Sequence, residues 1–154
     1  MINEQNLEII KKTAEEFFKK MYFEAEIKVM ALPNEETVSI ALTMEEPQIL
    51  IGENGRTLAE IQHLLKAMLR RKIADQFYIN VDINDYKKKK AEYLKEMARS
   101  TADEVALSKR ERILGPMSAY ERRIIHLELA EREDIVSESI GQEPERRVVI
   151  KPRP

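Results

Sequence analysis

Two short segments of the sequence have residue types that could hold a phosphate group. The first is Gly52-Glu53-Asn54-Gly55, followed by Arg56, which lies between a short apolar segment and a longer one with helical periodicity. Glycine permits positive φ and lets another backbone approach closely. A loop that precedes a helix also directs backbone N–H groups and the positive end of the helix dipole towards one point. The alternative is a tight helix–turn–helix corner that needs glycine for its geometry alone.

The second segment is Arg122-Arg123-Ile124-Ile125-His126. Arg122 and His126 are spaced to lie on the same face of a helix. A guanidinium presents a planar fork of donors, and an imidazole one turn away can donate another hydrogen bond. Together with Arg123, this pair suits a terminal phosphate or a nucleotide backbone. The alternative is an exposed surface pair with no binding role.

Catalysis is the less favoured use of these residues. In an enzyme acting on a phosphorylated nucleotide, His126 would be the acid or base and Arg122 the clamp. The chain has only two histidines and no cysteine, and it lacks metal-ligand spacings and a Gly-x-x-x-x-Gly-Lys loop. We therefore predict no enzymatic activity, no metal site and no cofactor.

The elements that position Gly52–Gly55 follow from the apolar periodicity of the first 84 residues. The predicted order is helix, strand, strand, short helix, helix and strand, over residues 7–21, 25–31, 37–44, 47–51, 56–72 and 77–83. Pro33-Asn34 marks a hairpin turn between the first two strands. The helix after Gly55 is expected to bury a stripe that includes Leu64. This order predicts an α+β unit of three strands under three helices.

A long helix is predicted over residues 85–109, and the domain boundary is placed at 84–90. The helix begins with four lysines, of which Lys87 and Lys88 are binding candidates; the run is either a solvated surface or a basic arm near the third strand. Further on, Ser118 and Glu121 match a capping box that starts the helix carrying Arg122. Two strand-like segments follow, at 135–139 and 147–150. We thus expect a first domain over 1–84 and a smaller α/β domain over 85–154.

Composition bounds the compartment and the partners. The chain has 154 residues, a net charge of −2 and no cysteine, and it begins without a signal-peptide pattern or a membrane-spanning apolar run. We therefore expect a cytoplasmic protein. Residues 1–84 carry 10 basic and 14 acidic side chains, whereas residues 85–154 carry 16 and 14. A polyanionic partner would need a local basic patch, and residues 56–90, with nine basic and four acidic residues, supply one.

The two segments also carry a resemblance to known families. The element order and the position of the Gly-x-x-Gly loop over residues 3–83 resemble a type II KH domain, whose loop clamps about four nucleotides of a single strand. Many KH loops carry a basic residue where this loop has Glu53 and Asn54. The segment Glu121–His126, with Ser137-Glu138-Ser139-x-Gly141 and Glu143-Pro144-x-Arg146-Arg147-Val148-Val149-Ile150, closely resembles the R-three-H nucleic-acid-binding domain over residues 90–152.

A KH unit followed by an R-three-H unit resembles the bacterial Jag family, also called SpoIIIJ-associated, KhpB or EloR proteins. Many family members have an extra N-terminal domain and a charged linker, for which these 154 residues leave no room. The resemblance implies a cytoplasmic post-transcriptional regulator of cell elongation and shape, division or sporulation. Single-stranded RNA is the preferred ligand, with single-stranded DNA close behind, because phosphate contacts discriminate poorly between the two. The resemblance also implies a small single-KH protein as partner and a functional link to a YidC-type insertase.

Two further expectations concern function. The main alternative to RNA binding is a protein-interaction scaffold whose nucleic-acid modules are degenerate, an interpretation favoured by Glu53 and the negative net charge. Tyr78, Tyr86 and Tyr120 could stack on bases, but the sequence favours a packing role for each of them.

Overall fold

The computed structural model describes residues 2–34 and 36–154. They form two compact units, of which the first ends at Lys87 and the second spans Lys88–Pro154. Each unit has its own cluster of buried apolar side chains. The α+β class predicted from the sequence is confirmed, with a three-stranded sheet in each unit.

The first unit has the element order predicted for a KH-like domain. It consists of α1 (Glu4–Lys20), β1 (Glu26–Ala31), β2 (Thr37–Thr43), α2 (Gln48–Ile51), α3 (Arg56–Arg70) and β3 (Tyr78–Ile83), with a 3-10 turn over Glu53–Gly55. The order in the sheet is β1-β2-β3. β1 and β2 pair antiparallel with Val29 opposite Ile40, and β2 and β3 pair parallel with Ile40 opposite Val81. The parallel pair is possible because α2, the loop and α3 form the crossover between the strands.

Alternation and helical spacing explain which side chains of this unit are buried. Ile40 and Val81 on the sheet pack with Phe18 of α1 and Leu65 of α3, and none of these four is more than 1% exposed. Every second residue of β3 from Ile79 to Ile83 is buried, whereas Tyr78 and Asn80 point away from the core. The three helices therefore cover one face of the sheet, as the sequence predicts.

Two details differ from the sequence-based expectation. Leu64, which the periodicity assigns to the buried stripe of its helix, has 49% of its surface exposed. Its neighbours Ile61, Leu65 and Leu69 already fill the core-facing side at three-to-four spacing, so Leu64 lies beside that stripe. Pro47 is the residue before the short helix rather than its first residue, since α2 begins at Gln48.

The second unit packs a long and a short helix on a small sheet. Its elements are α4 (Tyr86–Ser108, which begins in the first unit), β4 (Arg112–Ile113), α5 (Ala119–Leu129), β5 (Ile135–Ile140) and β6 (Arg147–Pro152). The order in the sheet is β4-β6-β5, and both pairs are antiparallel. The predicted capping box is present, since the Ser118 hydroxyl accepts from Glu121 N and the Glu121 carboxylate accepts from Ser118 N. The short strand β4 was not predicted, because two residues carry no readable periodicity.

Neither a membrane span nor a metal site is found in the part of the chain that the structure describes. No helix there is long and apolar enough to cross a membrane. Within the same residues, no group of histidine and acidic side chains could hold a metal ion.

Candidate nucleic-acid-binding sites

The Gly52–Gly55 loop has three residues with positive φ. These are Gly52 at 72°, Asn54 at 53° and Gly55 at 77°. Asparagine is among the few residues other than glycine that occupy this region readily. The resulting turn brings Gly55 N within 3.3 Å of Gly52 O, and Arg56 N donates to Glu53 O. Two of the N–H groups that the sequence offered to a phosphate are therefore used inside the turn.

Both glycines are required by neighbouring side chains of the same chain. A Cβ on Gly52 would lie 2.1 Å from Thr57 Oγ1 and 2.9 Å from Thr57 N. A Cβ on Gly55 would lie 2.9 Å from Cε1 of Tyr86, whose ring packs against the loop. The geometric interpretation of the two glycines thus has direct support, because contacts within the chain already account for them.

The side chains that the loop offers to a ligand are of mixed charge. Glu53, Asn54 and Arg56 are all exposed. Among the described residues, neither Glu53 nor Arg56 forms an ion pair. Because Glu53 repels a phosphate and Arg56 attracts one, the tip of the loop contributes little net charge to binding.

Lys87 is fixed beside the edge of β3. Its Nζ donates to Gln62 Oε1 at 2.8 Å and to Asn80 Oδ1 at 2.7 Å, and Gln62 Oε1 also accepts Val81 N at 2.9 Å. Burial lowers the pKa of Lys87, and the charge of Asp82 partly offsets this. Asp82 also accepts the Lys87 backbone N–H, so it caps the start of α4. Lys87 therefore joins α3, β3 and α4, unlike Lys88, which is exposed.

The face of α3 that borders β3 is the basic surface of the first unit. His63 and Arg70 are exposed on it, and Lys66 is half-buried with its Nζ 4.9 Å from the centre of the Tyr78 ring. Tyr78 is 60% exposed. Tyr78 is therefore not part of the core, because its strand position points away from it, and its ring packs against Lys66 instead. An exposed ring beside a lysine can stack on a base while the ammonium contacts the backbone.

Arg122 in the second unit is buried, with 7% of its surface exposed. Its Nη1 donates to Met117 O at 2.7 Å, and its Nη2 donates to Glu143 Oε1 at 3.0 Å. Met117 N in turn donates to Arg146 O. Arg122 thus connects α5 to the segment before it and to the loop between β5 and β6. The interpretation of Arg122 and His126 as an exposed surface pair is wrong.

His126 connects α5 to β5. Its Nδ1 lies 2.8 Å from Ser137 Oγ, and its Nε2 lies 2.7 Å from Ser139 Oγ. The two serines alternate along β5 and therefore face the same side of the sheet. Burial lowers the pKa of His126, and the positive charge of Arg122 lowers it further. The neutral ring can donate to one serine and accept from the other, so both nitrogens are satisfied.

The exposed face of α5 lies beside the Arg122–His126 pair. Tyr120, Arg123 and Leu127 recur there at three-to-four spacing, and Tyr120 and Leu127 are 66% and 64% exposed. Tyr120 is therefore on the surface, contrary to the packing role that the sequence favoured. We call these three residues the α5 outer stripe. It offers an aromatic ring, a guanidinium and an aliphatic side chain in one row.

Arginine pairing separates structural from available cations in residues 92–152. Five of the eight arginines form ion pairs: Arg99, Arg112, Arg122, Arg132 and Arg147. Arg110, Arg123 and Arg146 have no ion pair among the described residues. Arg146 Nε is in addition buried without a hydrogen-bond partner in the described part of the chain. Leaving such a buried donor unpaired costs about 1–3 kcal/mol.

Arg146 was not among the binding candidates derived from the sequence. No local signal distinguishes it from Arg147, which pairs with Glu145, because the two arginines are neighbours in the same short charged stretch of the sequence. The loop that leads to Arg146 is tight, since Gly141 has φ of 83° and lies close to the backbone of Glu145 and Arg146.

Comparison with known proteins identifies the second unit. The family model of the R-three-H domain matches residues 92–152, which include Arg122, His126, the α5 outer stripe and Arg146. Residues 92–152 are an R-three-H domain. Its buried Arg122 and its serine-bonded His126 are the arginine and histidine that the sequence motif singled out.

Relatives extend the similarity into the first unit. The chain is similar to the "RNA-binding protein KhpB" of Clostridium symbiosum, with 33% identity over 136 residues that cover 88% of this chain and 61% of the relative. The corresponding proteins of Lactiplantibacillus plantarum and Bacillus subtilis are 36% and 33% identical over 66% and 76% of this chain. These matches cover 32% and 57% of those two relatives.

The similarity confirms the predicted resemblance to the Jag family, to which the KhpB proteins belong. In the matches above, the chain spans less than two thirds of each relative's length.

Proposed function

We propose that this protein binds single-stranded RNA through its R-three-H domain and that the KH-like unit adds a second, weaker contact surface. The proposal is supported by the R-three-H match and by the KhpB relatives, which are named RNA-binding proteins. The observation that carries it is that Arg123 and Arg146 have no ion pair among the described residues, in a domain where most arginines have one. Guanidinium groups without a carboxylate partner keep their donors for phosphate oxygens.

The R-three-H motif residues have a positioning role in this proposal. Arg122 donates hydrogen bonds to Met117 O and to the Glu143 carboxylate, and both ring nitrogens of His126 are hydrogen-bonded to serines. They hold α5 and the 141–146 loop in place. Arg123 and Arg146 then contact phosphates, and Tyr120 stacks on a base. This assigns the sequence-derived candidates Arg122 and His126 to the support of the site and Arg123 to direct contact.

In the KH-like unit the basic face of α3 carries the contact rather than the loop tip. Lys66 with Tyr78, together with Arg70 and Arg56, provides cations and an aromatic ring. Gly52, Glu53, Asn54 and Gly55 shape the start of α3, and Lys87 holds α4 against β3. Lys88 is an additional exposed cation. Because Glu53 opposes phosphate, this unit binds more weakly than one with a basic loop.

The test is fluorescence anisotropy of a short labelled single-stranded RNA in a salt titration. The double variant Arg123→Gln/Arg146→Gln is compared with Arg99→Gln/Arg112→Gln, which removes the same charge from arginines that are already ion-paired. We expect the first variant to weaken binding and to reduce the log–log salt slope by about 1.4, since each phosphate contact on a single strand contributes about 0.7. The second variant keeps most of the affinity.

Equal weakening by both variants would show that only net charge matters. If the wild type does not bind RNA, the scaffold alternative replaces the proposal. The loop variant Glu53→Asp/Asn54→Asp addresses the KH-like unit, and a loss of affinity there would restore the loop as a direct contact.

We further propose a cytoplasmic, non-enzymatic regulator, on the basis of the Jag resemblance and the names of the relatives. A role in cell elongation, division or sporulation, a small single-KH partner and a link to a YidC-type insertase stay predictions of that resemblance. Deletion of the gene with microscopy of cell shape and spore formation tests the cellular role. Complementation by Arg123→Gln/Arg146→Gln asks whether the role needs RNA binding.

A further inference from the structure

A groove on the KH-like unit has a chemistry unlike that of either RNA-binding surface. It is an open groove of about 710 Å³ between the segment after α1 and the segment that links β2 to α2. The lining residues are Tyr22, Phe23, Glu24, Ala25, Glu26, Thr43, Met44, Glu45, Glu46 and Ile49. We call this the Tyr22–Ile49 groove.

The described lining of the groove is acidic and has no compensating cation. Four of its ten residues are glutamates, and none is lysine or arginine. None of these glutamates forms an ion pair within residues 2–34 and 36–154. Such a surface repels a phosphate backbone and attracts ammonium and guanidinium groups. The glutamates do not form a metal-binding group either, as far as the described residues extend.

Apolar side chains are exposed at both sides of the groove. Tyr22 is 95% exposed and Ile49 is 69% exposed, while Phe23 and Met44 are half-buried between them. Large apolar side chains at the rim of a concave site, next to charged ones, are typical of protein interaction surfaces.

Tyr22 occupies a backbone position that favours glycine. It follows the C-terminus of α1 with φ of 62°, where Tyr22 N donates to Lys19 O and Phe23 N donates to Phe18 O. Helices that end this way usually have glycine at this position, because a Cβ is disfavoured there. The chain instead places an aromatic ring that contributes almost no burial to the fold. Burial of the ring therefore does not offset the backbone cost of this position, and such uncompensated strain is found preferentially at functional sites.

We propose that the Tyr22–Ile49 groove docks a lysine- or arginine-rich segment of a partner protein, with an apolar side chain of that segment seated against Tyr22 and Ile49. Charge complementarity decides the occupant. The four glutamates pair with the basic residues that flank the apolar anchor, and RNA is excluded by the same charges. The docking surface thus has the opposite charge to the residues proposed to bind RNA, which are Lys66, Arg70, Arg123 and Arg146.

The test uses the full chain labelled with nitrogen-15 and a short capped peptide in which lysines flank one leucine and one phenylalanine. A matched peptide carries glutamate in place of lysine. We expect amide shift changes at residues 22–26 and 43–49 with the lysine peptide and none with the glutamate peptide. The proposal is overturned if the lysine peptide produces no shifts at about 1 mM, the weak limit of measurable docking, or if the shifts lie elsewhere.

Charge reversal provides the matched control. Glu45→Lys/Glu46→Lys changes two groove residues, and Glu15→Lys/Glu16→Lys changes two exposed glutamates of α1 by the same charge. We expect the groove variant to raise the peptide Kd about tenfold and the control about twofold or less. Equal weakening by both variants would mean a response to net charge and would overturn the proposal.

Tyr22→Gly separates docking from folding. Because glycine accepts positive φ, this variant is expected to raise the melting temperature by about 3 °C while weakening the peptide. Unchanged peptide affinity in a stable Tyr22→Gly protein would overturn the role of Tyr22 and with it the proposed anchor site. Sedimentation of the wild type covers the remaining occupant: self-association abolished by Glu45→Lys/Glu46→Lys would assign the groove to a second copy of the chain.

Discussion

Arg122 and Arg123 are neighbours in the sequence with opposite environments. Arg122 is buried and bonded to Met117 O and Glu143, whereas Arg123 is exposed on α5. A helix turns by about 100° per residue, so adjacent positions near the edge of its buried face fall on different sides of that edge. The motif therefore contains one arginine that the fold uses and one that stays exposed, which we propose contacts RNA.

Replacing these two arginines by glutamine is expected to have different consequences. Arg122→Gln leaves Met117 O without its partner and should lower the free energy of unfolding by about 1–3 kcal/mol. Arg123→Gln should change stability by less than about 0.5 kcal/mol and reduce the salt slope of RNA binding by about 0.7. Urea denaturation and RNA anisotropy measure the two effects. A stable Arg122→Gln protein with a reduced salt slope would return Arg122 to direct phosphate contact.

The pH dependence of stability should report His126. Its folded-state pKa is lowered by burial and by Arg122, so the unfolded chain binds the proton more readily below the ordinary imidazole pKa of about 6.5. The contribution of His126 to stability is complete above that pH and is lost as the pH falls below it. We expect the melting temperature to decrease as the pH is lowered from about 7 to about 5.

His126→Gln provides the comparison, because an amide can donate and accept but does not titrate in this range. The stability of this variant should therefore fall less than that of the wild type as the pH drops below the imidazole pKa. Parallel pH profiles for both proteins would show that other groups, such as the acidic residues, account for the whole decrease.

At the level of elements, the Gly-x-x-Gly loop and α4 depend on each other. The ring of Tyr86, in the first turn of α4, packs where a side chain on Gly55 would lie. We expect Gly55→Ala to destabilise the protein through this clash and through the positive φ, with the conformational part costing about 1 kcal/mol. Adding Tyr86→Ala should relieve the clash, so that only the conformational part of the destabilisation remains. Thermal denaturation of the two single variants and the double variant measures this coupling.

Gly52 offers a contrast within the same loop. A Cβ there would approach the backbone N of Thr57 at 2.9 Å as well as its side chain. Replacement of Thr57 by alanine should therefore not rescue Gly52→Ala. Full recovery of stability in the Gly52→Ala/Thr57→Ala variant would mean that the loop shifts away from α3. In the Gly55 experiment, additive losses of stability from Gly55→Ala and Tyr86→Ala would mean that the two residues are not in tight contact.

On the scale of the whole molecule, each of the two units has its own core and its own basic side chains proposed to bind RNA. Phosphate contacts on different surfaces contribute independently to the salt dependence. We therefore expect the reductions in salt slope caused by Lys66→Gln/Arg70→Gln and by Arg123→Gln/Arg146→Gln to add when the four changes are combined. Anisotropy with a labelled strand long enough for both units checks this. If the combined variant binds RNA as tightly as Arg123→Gln/Arg146→Gln alone, RNA binding is confined to the R-three-H domain.

Lys11→Gln/Lys12→Gln is the control for the first unit, since both lysines are exposed on α1 and removal gives the same change in net charge. It should leave the salt slope unchanged. A reduction as large as that of the Lys66 variant would mean that the slope follows the overall charge.

Much of the fold could be predicted because it depends on local patterns. Strict alternation in residues 37–43 and 78–83 indicated two strands, which pair in the structure, and the capping box at Ser118 and Glu121 placed the start of α5. These signals are readable since neighbours within one turn or one strand produce them. The two-residue strand β4 has no such signal and was missed.

The site was less predictable because the partners of its polar groups lie far along the chain. The sequence supplied Arg122, His126 and the two loop glycines, as residue types and spacings that suit a phosphate. In the tertiary structure, Arg122 forms hydrogen bonds with Met117 and Glu143, and His126 forms them with two serines of β5. Gly55 lies against the ring of Tyr86. The tertiary structure also left Arg123 and Arg146 without ion pairs among the residues described. Element type follows from nearest neighbours, whereas the availability of a charge depends on which distant groups the fold brings within hydrogen-bond distance.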